Sequence, residues 1–270
     1  MAREVGPFTV ITSAQNSKIK LVRALLGRAK ERREAGAFVV EGVRLVEEAV
    51  NSNWVIKFAL YDDSLSERGL KLVEKLESKK IEVEKVESRL LQSLSETETP
   101  QGISGVLEFN QLPIPNYLDF LLIPDQIRDP GNLGTMLRSA AAAGVQAVLL
   151  PPETTDAFAP KVVRSGMGAH FRLPIHSMMW EEIKQVSQSA NMQIFLADMD
   201  GKSCWETDLR QPLALIIGGE AEGASEQARK LTTQRISIPM SGDIESLNAG
   251  VAGSLLMFEV VRQRSVSSRQ

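Results

Sequence analysis

The stretch that decides the fold of this chain lies close to its C-terminus. It runs Ile238-Pro-Met-Ser-Gly-Asp-Ile-Glu-Ser-Leu-Asn248 and continues as Ala249-Gly-Val-Ala-Gly-Ser-Leu-Leu-Met-Phe-Glu259. Pro239 and Gly242 predict a loop after a strand, Ser246 occupies an N-cap position, and the apolar run Leu247–Val261 predicts the helix that follows. The first turns of this helix are rich in small residues, although glycine costs a helix about 1 kcal/mol relative to alanine. We therefore expect a ligand or another chain segment to approach its backbone closely.

Composition places the chain among globular proteins. It has 270 residues, of which 43% are hydrophobic, and this is enough for two domains with cores of their own. No apolar run is long enough to span a membrane and Met1–Pro7 has no apolar signal region, so the sequence predicts a cytoplasmic protein without a membrane contact. A single cysteine, Cys204, and two histidines, His170 and His176, argue against a disulfide or a metal site and are assigned to structure.

The charge is unevenly distributed along the chain. A net charge of -3 argues against a nucleic-acid partner, because phosphate binding is largely electrostatic. Residues 1–40, however, carry eight Lys or Arg against three Glu. A helix predicted from Lys18 to Glu34 presents Lys20, Arg23 and Lys30 on one face. A solvated helix surface is the alternative for such a stripe, but a local basic patch also attracts RNA to a nearly neutral protein.

The order of the predicted elements indicates two α/β domains. Short strands alternate with helices over residues 1–109, and the proline-containing segment 110–117 is the predicted linker. Residues 118–270 repeat apolar strands separated by helices, which predicts a parallel sheet covered on both faces. The elements predicted there include the strands Phe171–Ile175 and Gln193–Ala197 and a helix from Ala157 to Ser165. Three glycine-bearing loops follow predicted strands, at the strand ends where such sheets bind ligands.

Two common nucleotide-binding motifs are excluded by the residues themselves. Gly218 and Gly223 have the separation of a P-loop, but Ala224 stands where the phosphate-binding lysine is required. The pair Gly166-Met-Gly168 lacks the third glycine of a dinucleotide fingerprint, because Phe171 occupies its place. The loops therefore predict a ligand that is held mainly by backbone groups.

The three loops resemble the signature motifs of the SpoU/TrmH family of RNA 2′-O-ribose methyltransferases. They read Asp125-Gln-Ile-Arg-Asp-Pro-Gly-Asn132-Leu-Gly-Thr-Met-Leu-Arg138, Leu215-Ile-Ile-Gly-Gly-Glu220-Ala-Glu-Gly223 and Ser246-Leu-Asn248. Residues 16–49 are similar to the substrate-binding domain of the members that act on ribosomal RNA. The resemblance implies an L30e-like α/β sandwich over residues 1–109, and over residues 118–270 a SPOUT methyltransferase domain with a mostly parallel sheet and a deep trefoil knot.

The resemblance also implies S-adenosylmethionine as the cofactor, bound in a bent shape by the loops of the knot. A helix drawn through a loop has to pack closely, which accounts for the small residues from Ala249 to Ser254. The positions that match the family's cofactor contacts, or form the pocket wall beside them, are Leu215, Gly218, Gly219, Glu220, Ile238, Met240, Leu247, Asn248 and Ala252.

Family precedent carries catalytic roles to Arg138, Asn132, Glu220, Ser246 and Asn248. Arg138 is either a general base, whose neutral form near pH 7 would cost about 7 kcal/mol, or a phosphate ligand that lowers the effective pKa of the hydroxyl. Glu220 positions Arg138 or the RNA, with pairing to a helix dipole as the alternative. Asn132 and Asn248 orient the hydroxyl and Ser246 binds a phosphate, with capping as the alternative for Ser246 and Asn248.

The resemblance implies an enzyme that methylates a ribose 2′-hydroxyl of RNA. Ribosomal RNA of the 23S type is favoured, because a whole extra domain precedes the knot. A tRNA 2′-O-methyltransferase and a non-catalytic RNA-binding ribosome-assembly factor are the alternatives. A homodimer is implied too, with its interface built partly from the C-terminal helix, where the available residues are Leu255, Leu256, Phe258 and Val260.

Overall fold

A computed structural model describes residues 10–97, 99–220, 222–242 and 246–267 of the chain. These residues form two compact units. One comprises the described residues up to Asn110 together with Phe158–Pro160, and the other comprises Gln111–Ala157 and the described residues from Lys161 onwards. The segment 110–117, expected as a linker, lies at the start of the second unit apart from Asn110.

The first unit contains a four-stranded sheet. Its elements are α1 (Ser17–Gly27), α2 (Ala29–Ala35), β1 (Ala37–Glu41), α3 (Val43–Asn51), β2 (Ile56–Tyr61), α4 (Glu67–Ser78), β3 (Glu82–Lys85), α5 (Ser88–Gln92) and β4 (Ile103–Glu108). The spatial order of the strands is β1-β4-β2-β3. β4 is antiparallel to both of its neighbours, whereas β2 and β3 are parallel.

The single helix predicted from Lys18 to Glu34 is wrong, because the structure has two helices there. Gly27 ends α1, and Arg28 adopts an extended conformation with φ of -103° and ψ of 142°. The break is stabilised by Arg32, which is buried and donates from Nη1 to the carbonyl oxygen of Leu25 at 2.6 Å. A guanidinium thereby satisfies a carbonyl of the last turn of α1 that has no partner within the helix.

Two of the basic side chains counted near the N-terminus have structural roles. Lys18 forms ion pairs of 2.7 and 2.6 Å with Glu82 and Glu84 of β3, and Arg32 is buried. The hydrogen bonds to those carboxylates raise the pKa of Lys18, although partial burial opposes the shift and is the largest single influence on it. These two residues are therefore not part of an RNA-attracting surface, and Arg3, also counted, lies outside the described residues.

The second unit contains a six-stranded parallel sheet, as the apolar strands predicted. Its elements are β5 (Phe120–Pro124), α6 (Pro130–Ala143), β6 (Ala147–Leu150), α7 (Pro160–Gly166, without its first residue), β7 (Ile175–Ser177), α8 (Trp180–Ser189), β8 (Gln193–Ser203), β9 (Leu213–Ile217), α9 (Glu226–Leu231), β10 (Gln234–Ser237) and α10 (Ala249–Ser267). The spatial order is β10-β8-β9-β5-β6-β7, and every neighbouring pair is parallel.

Helices cover both faces of this sheet, which explains why β5 and β9 are buried along their whole length. On one face, Ile183 of α8 and Ala228 of α9 pack in the same core cluster as Leu121 and Ile123 of β5. On the other face lies α10, since the guanidinium of Arg264 stands over the Phe120 ring, with 5.2 Å between its Cζ and the ring centroid. Strands buried on both faces need apolar residues at every position, and this is the pattern that the sequence shows.

Three predicted boundaries differ from the structure. The segment Phe171–Ile175 was expected as one strand, but residues 169–171 form a 3₁₀ turn and β7 begins only at Ile175. β8 continues to Ser203, six residues beyond its predicted end at Ala197. The helix expected from Ala157 begins at Pro160, as proline favours the first turn of a helix.

The extra length of β8 comes from a large irregularity in its pairing with β10. Arg235 pairs with Leu196 and the next residue, Ile236, pairs with Lys202, so that residues 197–201 project from the ladder. Gly201 closes this bulge. A Cβ atom at Gly201 would lie 2.5 Å from the backbone nitrogen of Ile236, so only glycine lets the two strands meet again.

The cysteine and both histidines occupy structural positions. Cys204 is buried, and burial raises the pKa of its thiol to about 11. His170 is also buried, with Nε2 2.7 Å from the carbonyl oxygen of Ala157, and burial lowers its pKa to about 4. His176 Nε2 lies 2.8 Å from the carbonyl oxygen of Leu112. Within the described part of the chain, no helix is both long enough and apolar enough to cross a membrane.

We expect Gly201→Ala to destabilise the second unit. The added methyl group must displace the backbone of β10, and overpacking of this kind costs about 1–3 kcal/mol of unfolding free energy. Urea unfolding followed by circular dichroism measures the loss. Gly27→Ala is the matched control, because a Cβ atom there meets nothing within 4 Å. Equal stability of the two variants would contradict the close approach at Gly201.

Candidate active site

Three loops meet at the carboxyl edge of the second sheet. They follow β5 at Pro124, β9 at Ile217 and β10 at Ser237. Because all six strands run parallel, their carboxyl ends lie at one edge, where α/β sheets bind ligands. The first two loops approach each other closely, since a Cβ atom at Gly219 would lie 2.6 Å from the carbonyl oxygen of Gln126. Ala221 and Asp243–Glu245, which belong to the predicted motifs, lie outside the described residues.

Three polar side chains form a closed hydrogen-bonded group that we call the polar trio: Asn132 in the first turn of α6, Glu220 in the loop after β9, and Asn248 directly before α10. Asn248 Nδ2 donates to Asn132 Oδ1 at 2.9 Å and to Glu220 Oε1 at 3.0 Å. Asn132 Nδ2 also donates to Glu220 Oε1. The backbone N–H of Ala249 lies 3.4 Å from the same oxygen. These contacts fix which way both amide groups point.

The helices that carry the two asparagines begin beside the polar trio. Asp129 is the N-cap of α6 and accepts a hydrogen bond of 2.8 Å from the backbone N–H of Asn132, which lowers the pKa of the Asp129 carboxyl. The expected N-cap of the last helix, Ser246, is wrong. Because α10 begins at Ala249, the cap is Asn248, whose Oδ1 accepts from the backbone N–H of Val251 at 3.1 Å.

A buried carboxylate ties the first loop to the second. Asp125 is 0% exposed, and its Oδ2 accepts a hydrogen bond of 2.6 Å from the backbone N–H of Ser225, the N-cap of α9. Burial raises the pKa of Asp125, although the bonds from Ser225 oppose the shift. Asp125 thus fixes the far end of the loop that presents Glu220.

Glu220 and Asn248 of the polar trio line a cavity of ≈ 880 Å³, which we call the large cavity. This volume lies within the usual range for small-molecule sites. Most of the residues expected to contact the cofactor line it: Gly218, Gly219, Glu220, Ile238, Met240, Leu247, Asn248 and Ala252. Leu215 does not, because it lies two residues before the carboxyl end of β9 and its side chain is buried in the core.

A second, smaller cavity of ≈ 110 Å³ lies between the first and second loops. We call it the small cavity. It shares Gly219, Glu220 and Ala249 with the large cavity. Its other lining residues are Gln126, Ile127, Arg128, Asp129, Asn132 and Glu222. Glu220 therefore stands at the junction of an open, partly apolar space and a narrow polar one.

Arg138 and Ser246 lie apart from the polar trio. Arg138 is exposed on α6, six residues beyond Asn132, which is about 9 Å along the helix axis. It lines neither cavity and makes no hydrogen bond or ion pair with the described residues. Ser246 is exposed and lines the large cavity. The structure thus brings together three of the five residues expected to act in catalysis.

Several charged residues that line the large cavity could not be predicted from the sequence. Asp198 and Asp200 reach the large cavity from the bulge of β8, and Arg229 reaches it from α9. Arg229 Nη1 and Arg235 Nη1 lie 3.4 and 3.6 Å from Asp198 Oδ2. The bulge could not be foreseen, because it depends on a pairing between β8 and β10. Among the described residues, no group of three His, Cys, Asp or Glu side chains has the arrangement of a metal site.

Comparison with known proteins assigns this arrangement to a family. Residues 119–258 match the model of the SpoU rRNA Methylase family, and residues 16–105 match an MRM3-like substrate binding domain. The chain belongs to the SpoU rRNA methylase family. The first match lies almost entirely in the second unit and the second match lies in the first unit.

Relatives of known activity match nearly the whole chain. The 23S rRNA (guanosine(2553)-2′-O)-methyltransferase RlmP of Bacillus subtilis is 33% identical over 93% of this chain and 98% of its own length. The 23S rRNA (uridine(2479)-2′-O)-methyltransferase of Streptomyces viridochromogenes is 31% identical over 98% of this chain and 97% of its own length. The crystal structure of the SpoU methyltransferase AviRb from that organism, in complex with the cofactor AdoMet, superposes with a TM-score of 0.82 at 31% identity, covering 93% of this chain and 100% of AviRb.

We expect Asn248→Ala to lower the unfolding free energy by about 1–2 kcal/mol, because the variant loses the cap of α10 and two bonds to the polar trio. Chemical denaturation measures this. Ser246→Ala is the matched control, since Ser246 makes no hydrogen bond within the described residues, and we expect a change below about 0.5 kcal/mol. If Ser246→Ala were as destabilising as Asn248→Ala, the assignment of the cap to Asn248 would be wrong.

Proposed function

We propose that this protein transfers the methyl group of S-adenosylmethionine to a ribose 2′-hydroxyl of ribosomal RNA. The observation that carries the proposal is the polar trio at the junction of the two cavities, in a chain whose full-length relatives methylate 23S rRNA. The target hydroxyl is specific to RNA. A tRNA substrate and a non-catalytic role are less well supported, since those relatives act on ribosomal RNA.

The residues around the large cavity suit S-adenosylmethionine. Ile238, Leu247 and Leu256 give it an apolar wall, while Asp198, Asp200 and Glu220 bring carboxylates to a positively charged sulfonium. A Cβ atom at Gly218 would lie 2.6 Å from the backbone nitrogen of Ala224, so the loop can offer backbone groups to a ligand only with glycine there. When bound, S-adenosylmethionine supplies an electrophilic methyl group.

Glu220 is well placed to orient the hydroxyl. Its Oε1 is engaged by Asn132, Asn248 and Ala249, whereas its Oε2 accepts no hydrogen bond from the described residues. The free carboxylate oxygen lies where the two cavities join, and a ribose hydroxyl there donates its hydrogen bond to it. Orientation of this kind reduces the entropy that the reaction must lose. The trio thus aligns the nucleophile, and both asparagines keep Glu220 in place.

In this proposal Arg138 binds a phosphate of the RNA, and its positive charge makes the target hydroxyl easier to deprotonate, with water taking up the proton. A phosphate-binding role requires no deprotonation of the guanidinium, whereas a general base would have to be neutral at a cost of about 7 kcal/mol. Because Arg138 lies outside both cavities of its own chain, we propose that it acts at the site of a partner subunit.

The proposed dimer uses the exposed face of α10. Val251, Leu255 and Phe258 are 43–47% exposed and follow each other at helical spacing. Of the four residues expected at the interface, Leu256 and Val260 are buried within the unit, because they lie on the opposite face of the helix. Leu255 and Phe258 remain available, and Val251 joins them. An exposed apolar stripe of this kind is a common interaction surface.

The finer features of the fold also belong to this proposal. The order of strands in the second sheet, with α10 packed against α6 and β9, is compatible with a trefoil knot. A mixed sheet with helices is compatible with an L30e-like first unit, which we propose binds the RNA. Its exposed cations on α1, on α2 and at the break between them are Lys20, Arg23, Arg28, Lys30 and Arg33. A cytoplasmic location remains a prediction from the sequence.

Methyl transfer tests the proposed activity directly. We expect the protein to move labelled methyl groups from S-adenosylmethionine to 23S rRNA from cells that lack it, with the label on a ribose 2′-oxygen. In Arg138→Ala, the dissociation constant for S-adenosylmethionine by calorimetry stays within about twofold, while kcat falls about 100-fold or more, as for other lost transition-state contacts. If the unmodified protein left the RNA without label, the proposed activity would be refuted. If Arg138→Ala kept full turnover, the proposed role of Arg138 would be refuted.

Sedimentation tests the proposed dimer. We expect the protein to sediment as a dimer at micromolar concentration, and Phe258→Asp to sediment as a monomer with reduced methyl transfer, because a buried unpaired charge is strongly unfavourable at an interface. Leu70→Asp is the matched control, since Leu70 is similarly exposed on α4 of the other unit. A fully active monomer would contradict both the interface and the action of Arg138 in the partner site.

A further inference from the structure

The small cavity has one source of positive charge. Of the nine described residues that line it, Arg128 alone is a cation. Its Nη2 lies 3.5 Å from Glu222 Oε2 and 3.6 Å from Glu153 Oε2, and all three side chains are more than 60% exposed. Exposed ion pairs of this length contribute little to stability. The guanidinium is therefore held near the cavity by contacts that another anion can replace.

The position of the small cavity relative to Glu220 limits what can enter it. Glu220, Gly219 and Ala249 line both cavities. A ribose whose 2′-hydroxyl lies at Glu220 carries its 3′-phosphate on the neighbouring carbon, so this phosphate has to lie close by. At ≈ 110 Å³, the small cavity is well below the size of a pocket for a complete nucleotide. It is suited to a short piece of sugar-phosphate backbone.

The small cavity is lined by negative charge, so a phosphate can bind in it only beside a cation. Asp129, Glu220 and Glu222 all contribute carboxylates to its lining. Asp129 is engaged by the backbone N–H of Asn132, and its Oδ2 is 3.5 Å from Lys161 Nζ. Glu220 and Glu222 would repel a phosphodiester at short range. A planar guanidinium, which pairs with two phosphate oxygens at once, is the group that offsets this repulsion best.

We propose that Arg128 binds the phosphate next to the target ribose in the small cavity, and that Glu222 and Glu153 hold its guanidinium there until RNA arrives. This inference rests on the proposed function, because it presumes an RNA substrate at Glu220. It assigns a substrate contact within one chain, independent of Arg138.

Kinetics with 23S rRNA as the probe test the assignment. We expect Arg128→Ala to raise KM for RNA about tenfold, with the dissociation constant for S-adenosylmethionine unchanged. The slope of log KM against log salt concentration becomes shallower, by the amount expected for the loss of about one phosphate contact. Arg128→Lys keeps the positive charge but cannot pair with two phosphate oxygens at once. We therefore expect its KM to lie between the KM of the unmodified protein and that of Arg128→Ala.

Glu222→Gln provides a test of opposite sign. Removal of the competing carboxylate frees Arg128 and lowers the repulsion, so we expect KM for RNA to fall by up to about fivefold. In the Arg128→Ala background, Glu222→Gln changes KM less, because the interaction between Arg128 and Glu222 is already lost. Arg210→Ala is the matched control: Arg210 is an exposed arginine paired with Asp208, and we expect its KM to equal that of the unmodified protein.

The outcomes separate this inference from the proposed function. If the unmodified protein transfers no methyl group to RNA, the proposed function fails. If it does, and Arg128→Ala leaves both KM and its salt dependence unchanged, only the role of Arg128 fails. A large loss of S-adenosylmethionine binding in Arg128→Ala would also overturn the inference, because the arginine would then support the loops themselves.

Discussion

The hydrogen bonds that converge on one carboxylate oxygen of Glu220 hold the site together. Asn132 comes from the first turn of α6 and Asn248 from the end of the loop after β10, and both donate to Oε1. Each asparagine also begins or borders a helix, so the orientation of α6 and α10 is coupled to the position of Glu220. Amide groups that donate to a charged acceptor form stronger bonds than neutral pairs do. One side chain thus sets the relative position of three loops.

Close backbone contacts provide the frame in which these bonds form. Gly201 lets β8 and β10 meet after the bulge, Gly218 lets the second loop fold back on Ala224, and Gly219 lets that loop pass close to Gln126. Asp125 then fixes the end of that loop at Ser225. Since none of these positions tolerates an added Cβ atom or a lost acceptor easily, the cavity has rigid walls and preformed polar groups.

Much of the second unit could be predicted from the sequence, because its central strands are buried on both faces and read as continuous apolar runs. Asn132, Glu220 and Asn248 were also identified as one site, by resemblance to a family. The features that could not be predicted depend on contacts with residues elsewhere in the sequence. Arg32 caps the carbonyl end of α1 across a helix break, and the bulge of β8 exists only because β10 pairs on both sides of it. The cap of α10 was misplaced because Ser246 and Asn248 are equally good capping residues, and only the backbone decides between them.

The position of Arg138 bears on the proposed homodimer. Arg138 lines neither cavity of its own chain. We propose that a residue so placed acts on a site of another chain. The stripe formed by Val251, Leu255 and Phe258 supports this proposal, since α10 packs directly against α6, the helix that carries Arg138. Glu220 and Arg128 would then define where the ribose lies within one chain, while the arginine that assists its reaction arrives only when a second chain is bound.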